Sequence, residues 1–367
     1  MSILQKLGSG LSTKENIESS SMGGDKAGTV HSIQLLRFVA AAMVVIYHSY
    51  VSFIPSSLLE HSSGTSYWVG FGKVGVHIFF VISGYIMYVT CFYRKRIISS
   101  YDFILRRILR LYPVYWIFVV LYIIYDQLSG IMPSLSALQF IELLLLVPPS
   151  SSLIIGPAWT LSFEMYFYLI FGAAIVLGAR RGAIAVSVFL FVSAGIGAIF
   201  RPDSAVAALV TNSLLIEFAM GVWVARLTTI VVIHRRMGWL AIAGAVAGFA
   251  GGLAWGYDLI PSALVWGIPS TFLIAGVVVL EQRKNSGHFS FFRRLSWLGN
   301  SSYSLYLLHL LIIETLMRLY VTTKYDVKVV TFVILSTVLA IILSVIFHNI
   351  IERPLIKFLH NGFLSVR

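Results

Sequence analysis

Apolar stretches near or above the roughly 18 residues needed to cross a bilayer recur along this chain from Ile33 to Ile351. Hydrocarbon offers no water to a stray backbone N–H or C=O, so only helices or closed barrels can span it. Runs of this length are helical runs, and the gaps between them leave no window for a separate soluble domain. The expectation is one all-α, polytopic membrane domain.

Composition agrees. Of 367 residues, 58% are hydrophobic and 11% charged, against about 25% charged in soluble domains. The formal charge of +12 does not point to nucleic acid, because the basic residues sit in short clusters between apolar stretches rather than along one polar face. Such clusters set membrane topology. Cys91 is the sole cysteine, which excludes an intrachain disulfide, and its neighbours Phe92 and Tyr93 argue against a thiol mechanism. Residues 1–30, rich in Ser, Gly and Lys without apolar periodicity, are expected to be a disordered cytoplasmic tail. The first apolar run, Ile33 to Ile54, is too long for a signal-peptide core.

Eleven apolar segments can be counted, near 33–54, 74–92, 108–127, 135–147, 159–178, 182–200, 205–226, 238–256, 261–281, 300–321 and 329–351. Arg94, Lys95, Arg96, Arg106, Arg107 and Arg110 form the densest basic cluster and fix the loop between the second and third segments as cytoplasmic. If all eleven spanned, Arg180 and Arg181 and the later basic clusters would lie outside. The segment 135–147 is too short to cross; read as re-entrant or interfacial, it leaves ten spans with both termini cytoplasmic. That arrangement places 21 of the 27 Lys and Arg residues inside. The expected domains are thus the tail 1–30, a transmembrane domain 31–355 and a cytoplasmic tail 356–367. No fixed-period repeat and no matched pair of broken helices marks an inverted-repeat transporter.

An ionisable side chain at mid-membrane costs at least about 2.5–3.5 kcal/mol, so each one needs a reason. Arg37 and His48 share the first helix, eleven residues apart, which brings them back to nearly the same face about 16 Å apart along the axis. Singly, they fit a snorkelling arginine and a helix-packing histidine; together they fit one cavity. Glu164 opens the fifth segment in Trp159-Thr-Leu-Ser162-Phe-Glu164-Met-Tyr166-Phe-Tyr168. At about two turns from the outer surface it matches the expected depth of His48, where a carboxylate can orient an imidazole as a general base. Another buried donor is the competing partner for it.

Arg106, Arg107 and Arg110, followed by Tyr112, lie at the cytoplasmic boundary of the third segment. They suit either bidentate phosphate binding or plain anchoring to anionic lipid. Ser83 and Gly84 on the second helix permit close approach, of another helix or of a slender ligand arm. Ser302, Tyr306 and His309 fall on one helical face, and Glu217 has no evident partner.

In the order Arg37-x10-His48, Phe79-Phe80-Val-Ile-Ser83-Gly84, Arg106-Arg107-x-x-Arg110-Leu-Tyr-Pro113, Trp159-Thr-Leu-Ser162-Phe-Glu164 and Ser302-Tyr303-Ser-Leu-Tyr306-Leu-Leu-His309, these motifs resemble the acyltransferase-3 family. The resemblance covers roughly residues 31–355, and the Ile-Ser-Gly-Tyr-Ile-Met wording of the second helix is similar to its ExoZ-type exopolysaccharide acetyltransferase branch. His77 stands where many relatives carry Asp, so no role of that carboxylate transfers.

The resemblance implies a multi-pass bacterial inner-membrane O-acyltransferase. It would take acetyl-CoA or another acyl-CoA from the cytoplasm as co-substrate, with no metal, and acylate an extracytoplasmic or lipid-linked saccharide. Arg37 and His48 correspond to the family's functional pair. The physical reading adds Glu164 to them as catalytic residues; Arg106, Arg107, Arg110, Ser83, Gly84 and Tyr112 as donor contacts; and Trp159, Ser162, Tyr166, Tyr306 and His309 as saccharide contacts. A transporter of a glycan or lipid-linked precursor is the contrasting reading.

Overall fold

The computed structural model describes residues 30–54, 70–93, 99–130, 135–149, 154–255, 260–282, 293–323 and 328–364. The N-terminal tail expected over 1–30 falls outside them except for Val30. Every regular element among the described residues is helical. In chain order these are α1 (His31–Phe53), α2 (Val74–Tyr88), α3 (Ser100–Ser129), α4 (Ala137–Leu145), α5 (Trp159–Ala174), α6 (Gly178–Phe200) and α7 (Ala205–Val210). There follow α8 (Leu215–Ile230), α9 (Arg235–Trp255), α10 (Ile268–Gln282), α11 (Ser302–Thr323), α12 (Val329–Phe347) and α13 (Arg353–Leu364).

Local chemistry explains where the helices begin and end. The Glu281 carboxylate accepts the His31 and Ser32 backbone N–H groups at 2.7 and 2.9 Å, satisfying two orphan amides and the positive end of the α1 dipole. Ser99 caps α3 by accepting from the Asp102 N–H, and Gly130 closes it at φ 70°, a left-handed position that costs glycine nothing.

Nine runs among the described residues are long and apolar enough to cross a membrane. One of them, Gly156–Phe200, has 45 residues and would reach about 68 Å if straight, twice the hydrocarbon core. It turns back instead. Gly178 breaks it at φ 74°, Gly182 packs so close to the Ala174 carbonyl that a Cβ there would lie 2.7 Å from its oxygen, and Tyr166 hydrogen-bonds Ser193 on the returning arm. The run is therefore a hairpin of two crossings with Arg180 and Arg181 near its turn. Ten crossings result, as the charge clusters require.

The expected re-entrant piece is α4, whose nine residues span only about 14 Å. Its last carbonyls are taken by α3: Tyr115 donates to Leu143 at 2.8 Å, Trp116 to Leu144 at 3.0 Å and Tyr112 to Leu145 at 3.0 Å. Those donors lie in the middle of a 30-residue helix, so α4 dips to mid-depth. The chain then reaches α5 from inside the bundle: a Cβ on Gly156 would touch Leu310, halfway along α11, at 3.3 Å. In consequence α5 starts deeper than its sequence suggests, and Glu164 is carried below His48.

Between lipid-soluble helices the hydrophobic effect supplies little, and packing of small residues does the joining. At the α2–α8 crossing a Cβ on Gly84 would meet the Phe218 carbonyl oxygen at 2.0 Å, and one on Gly221 the Val81 oxygen at 2.0 Å. Phe218 in turn stacks between Phe80 and Phe167 at 4.6 and 4.4 Å. Because backbone cannot swing aside, Gly84→Ala is expected to force the helices apart at a cost of about 1–3 kcal/mol. Thermal unfolding in detergent should fall by a few degrees; an unchanged midpoint would refute this contact.

Candidate active site

The arginine-bearing end of the bundle holds a cavity with about 830 Å³ of empty space, its open mouth included. Five segments wall it: Arg37 from α1; Phe79, Ser83 and Met87 from α2; Arg107 and Arg110 from α3; Thr160, Glu164 and Tyr168 from α5; Ser302, Tyr303 and Tyr306 from α11 and its entry. Glu164 accepts hydrogen bonds from Ser83 at 3.1 Å and from Tyr168. Arg107, only 7% exposed, lies over the rings of Phe103 and Tyr168 at 5.3 and 5.6 Å. Its Nε has no partner among the described residues.

Arg37 reaches Gln34 at 3.4 Å and shares the electrostatic neighbourhood of Arg110, Glu164 and Glu352. Glu352 itself accepts from Ser304 and lies 3.0 Å from His348 Nδ1. Among the described residues no carboxylate oxygen comes within ion-pair distance of Arg37, Arg107 or Arg110. Three guanidiniums and one carboxylate, Glu164, thus line the cavity, an excess of positive charge that suits an anion.

Above the cavity lies a second group. The His48 and His309 rings stand 5.3 Å apart, with Tyr47 edge-on to His48 at 5.0 Å and Lys73 over Tyr47 at 5.1 Å. His309 is fully buried, and neither ring nitrogen makes a hydrogen bond of good geometry among the described residues. Its helix is pinned beside it: the Tyr122 hydroxyl donates to the Leu307 carbonyl and accepts the Leu311 N–H, both at 3.1 Å. These two groups form one rung of α11 with His309 between them.

Tyr306 joins the two groups. It lines the cavity, its ring lies 5.9 Å from that of His309 and 6.2 Å from Phe79, and its hydroxyl donates to the Pro157 carbonyl at 2.9 Å.

Of the residues singled out from sequence, Arg37, Ser83, Arg107, Arg110, Glu164 and Tyr306 share one cavity wall. His48 and His309 meet each other above it. The pairing of Glu164 with His48 is corrected: α5 begins at mid-depth, so the carboxylate faces Ser83 and Tyr168. Arg106 is not in the lining. Gly84 faces α8 rather than a ligand arm, and Tyr112 holds α4. Trp159 lies partly exposed, edge-on to Phe163 at 5.7 Å; Ser162 is buried outside the lining; and Tyr166 faces α6. Thr160, Tyr168, Tyr303 and Glu352 were missed. Tyr168 was legible, since it lies four residues beyond Glu164 on the same helical face, whereas Tyr166 is turned away. Glu217, without a partner in the sequence reading, lies 2.5 Å from His77 Nδ1.

A family model described as an acyltransferase domain matches residues 30–349. The chain is similar to the exopolysaccharide production protein ExoZ of Rhizobium meliloti (strain 1021), with 28% identity over 316 residues that cover 82% of this chain and 94% of that protein. No solved structure matches. With the family domain covering nearly all of the helical bundle, the chain belongs to the acyltransferase-3 family of membrane acyltransferases.

Proposed function

We propose that this acyltransferase moves an acetyl group from cytoplasmic acetyl-CoA to a hydroxyl of an extracytoplasmic or lipid-linked saccharide, of exopolysaccharide or O-antigen type, at a bacterial inner membrane. The observation that carries the donor half is the cavity in which Arg37, Arg107 and Arg110 gather without an ion-paired carboxylate among the described residues. Phosphates and the diphosphate of a coenzyme are the anions such a cluster suits. The acceptor half draws on the likeness to an exopolysaccharide production protein.

In the proposed reaction the coenzyme's phosphates sit on Arg107 and Arg110, and its pantetheine arm rises past Ser83 with the thioester directed toward the imidazole pair. A saccharide hydroxyl arrives from the opposite side. As its oxygen attacks the thioester carbonyl carbon, His48 takes the hydroxyl proton; the new C–O bond forms, the C–S bond breaks, and the departing thiolate takes that proton from the His48 imidazolium and leaves as free thiol. Glu164 does not orient His48 in this scheme. Its place is beside Arg37, holding Ser83 and Tyr168 in the cavity wall.

The donor half is tested by titrating purified protein with coenzyme A. Arg110→Ala, at a partly exposed position whose loss leaves no buried charge unpaired, is expected to weaken binding at least about tenfold, since one charge-assisted contact is worth about 1.5–3 kcal/mol. Equal affinities for the variant and the parent would remove the cavity from the scheme.

A further inference from the structure

The cavity does not reach the imidazoles. Its lining stops at Tyr306, Thr160 and Phe79, and neither His48 nor His309 belongs to it. His309 is 0% exposed, so no open channel touches its ring.

What closes the path is a small hydrogen-bonded latch. Tyr306 donates its one hydroxyl proton to the Pro157 carbonyl at 2.9 Å. The Thr160 hydroxyl lies 2.7 Å from the Tyr306 oxygen and 3.2 Å from the same carbonyl, so it is placed to donate to the tyrosine and complete the triangle. All three partners are buried. Pro157 belongs to the turn that enters α5 at mid-depth, and the α4 dip delivers that turn beside α11. The latch thus exists because the chain re-enters the bundle there.

We infer that Tyr306, held by Pro157 and Thr160, is the ceiling of the donor cavity and the residue that limits the acyl group to a short one. This rests on the reading of the cavity as the site of an acyl-CoA. A thioester rising from the guanidiniums meets the Tyr306 ring before any imidazole. Beyond the ring, His309 lies in contact at 5.9 Å between centroids, and Phe79 closes the flank at 6.2 Å. A partial swing of the latched phenol leaves room for a short acyl group such as acetyl. A longer chain has to displace Phe79 or His309 as well. The ring is therefore a specificity element, and its hydroxyl sets how readily it moves.

The test uses membrane vesicles from cells expressing the full chain, which carry the native saccharide pool with them. Thiol release is followed from acetyl-CoA, butyryl-CoA and octanoyl-CoA, with vesicles bearing the His48→Ala variant as background. The readout is the butyryl-to-acetyl rate ratio, which a general loss of folded protein does not move. Tyr306→Ala should raise that ratio at least about tenfold, because a single methylene in a fitted pocket is worth about 10–200-fold in discrimination. Tyr306→Phe keeps the ring and frees it from the latch, and Thr160→Val keeps the ring and removes one of its two hydrogen bonds, so both should raise the ratio by a smaller factor. They also decide the matter if Tyr306→Ala does not accumulate. A ratio unchanged in the latch variants, with acetyl-CoA still consumed, overturns the inference alone. No thiol released by the parent chain from any donor overturns the acyl-CoA reading and the inference with it.

Discussion

Replacing His48 by Ala is expected to lower saccharide-dependent thiol release by about 10²–10⁴-fold, the usual worth of one positioned acid–base group. Affinity for coenzyme A should not change, because the imidazole lies above the cavity and outside its lining. The scaffold should survive as well. His48 is only partly buried, and its neighbours are the rings of Tyr47 and His309, so its removal strands no charge and leaves no carboxylate unpaired. His309→Ala differs in kind: it empties a fully buried position and should lower both stability and turnover. Normal turnover by the His48 variant, measured with well-folded protein, would take the proton acceptor out of α1.

The second large effect concerns stability and lies away from the cavity. Glu217 is 0% exposed, with Oε1 at 2.5 Å from His77 Nδ1 and Oε2 without a partner among the described residues. The pair ties α2 to α8, and Gly267, just before α10, abuts it so closely that a Cβ there would lie 2.8 Å from Oε1. Removing one member of a buried pair strands the other, at about 3–5 kcal/mol. Glu217→Ala is therefore expected to lower the unfolding midpoint in detergent by well over the shift of an ordinary surface variant, and Glu217→Gln, which keeps a hydrogen bond to the ring, by less. Neither should alter coenzyme A affinity. His77 faces α8, whereas its neighbours Val76 and Phe79 line the cavity. A midpoint unmoved by Glu217→Ala would show that the pair holds nothing together.

The pair also shows what a sequence can and cannot reveal here. Both residues could be singled out, His77 as a departure from a family pattern and Glu217 as a buried charge without a reason, yet they are 140 positions apart. Helical period says which face a residue occupies; it does not say which helix will pack on that face. The crossings were legible because length and charge asymmetry are local properties. So was the short dip of α4, since about 13 residues cannot span a bilayer. Its consequence was not: an element that ends at mid-depth starts its successor at mid-depth too, and this moved Glu164 from the level of His48 to that of Arg37. Gly84 failed for a related reason. A small residue licenses close approach, but only the packed partner, here the Phe218 backbone, decides whether helix or ligand makes it. Tyr168 needed no tertiary knowledge, only the four-residue step from Glu164 to be followed to its end.

The cavity residues that matter most, Arg37, Arg107, Arg110 and Glu164, come from α1, α3 and α5, which meet only because the bundle closes. What joins them functionally is the coenzyme proposed to lie among them. The most direct measurement supplies purified protein in detergent with acetyl-CoA labelled in the acetyl group and with de-acetylated exopolysaccharide, and follows free thiol and labelled saccharide together. Equal molar appearance of the two, dependent on the saccharide and lost in the His48→Ala variant, is the predicted result. Saccharide movement across a reconstituted bilayer with the thioester left intact would contradict it and make the chain a carrier.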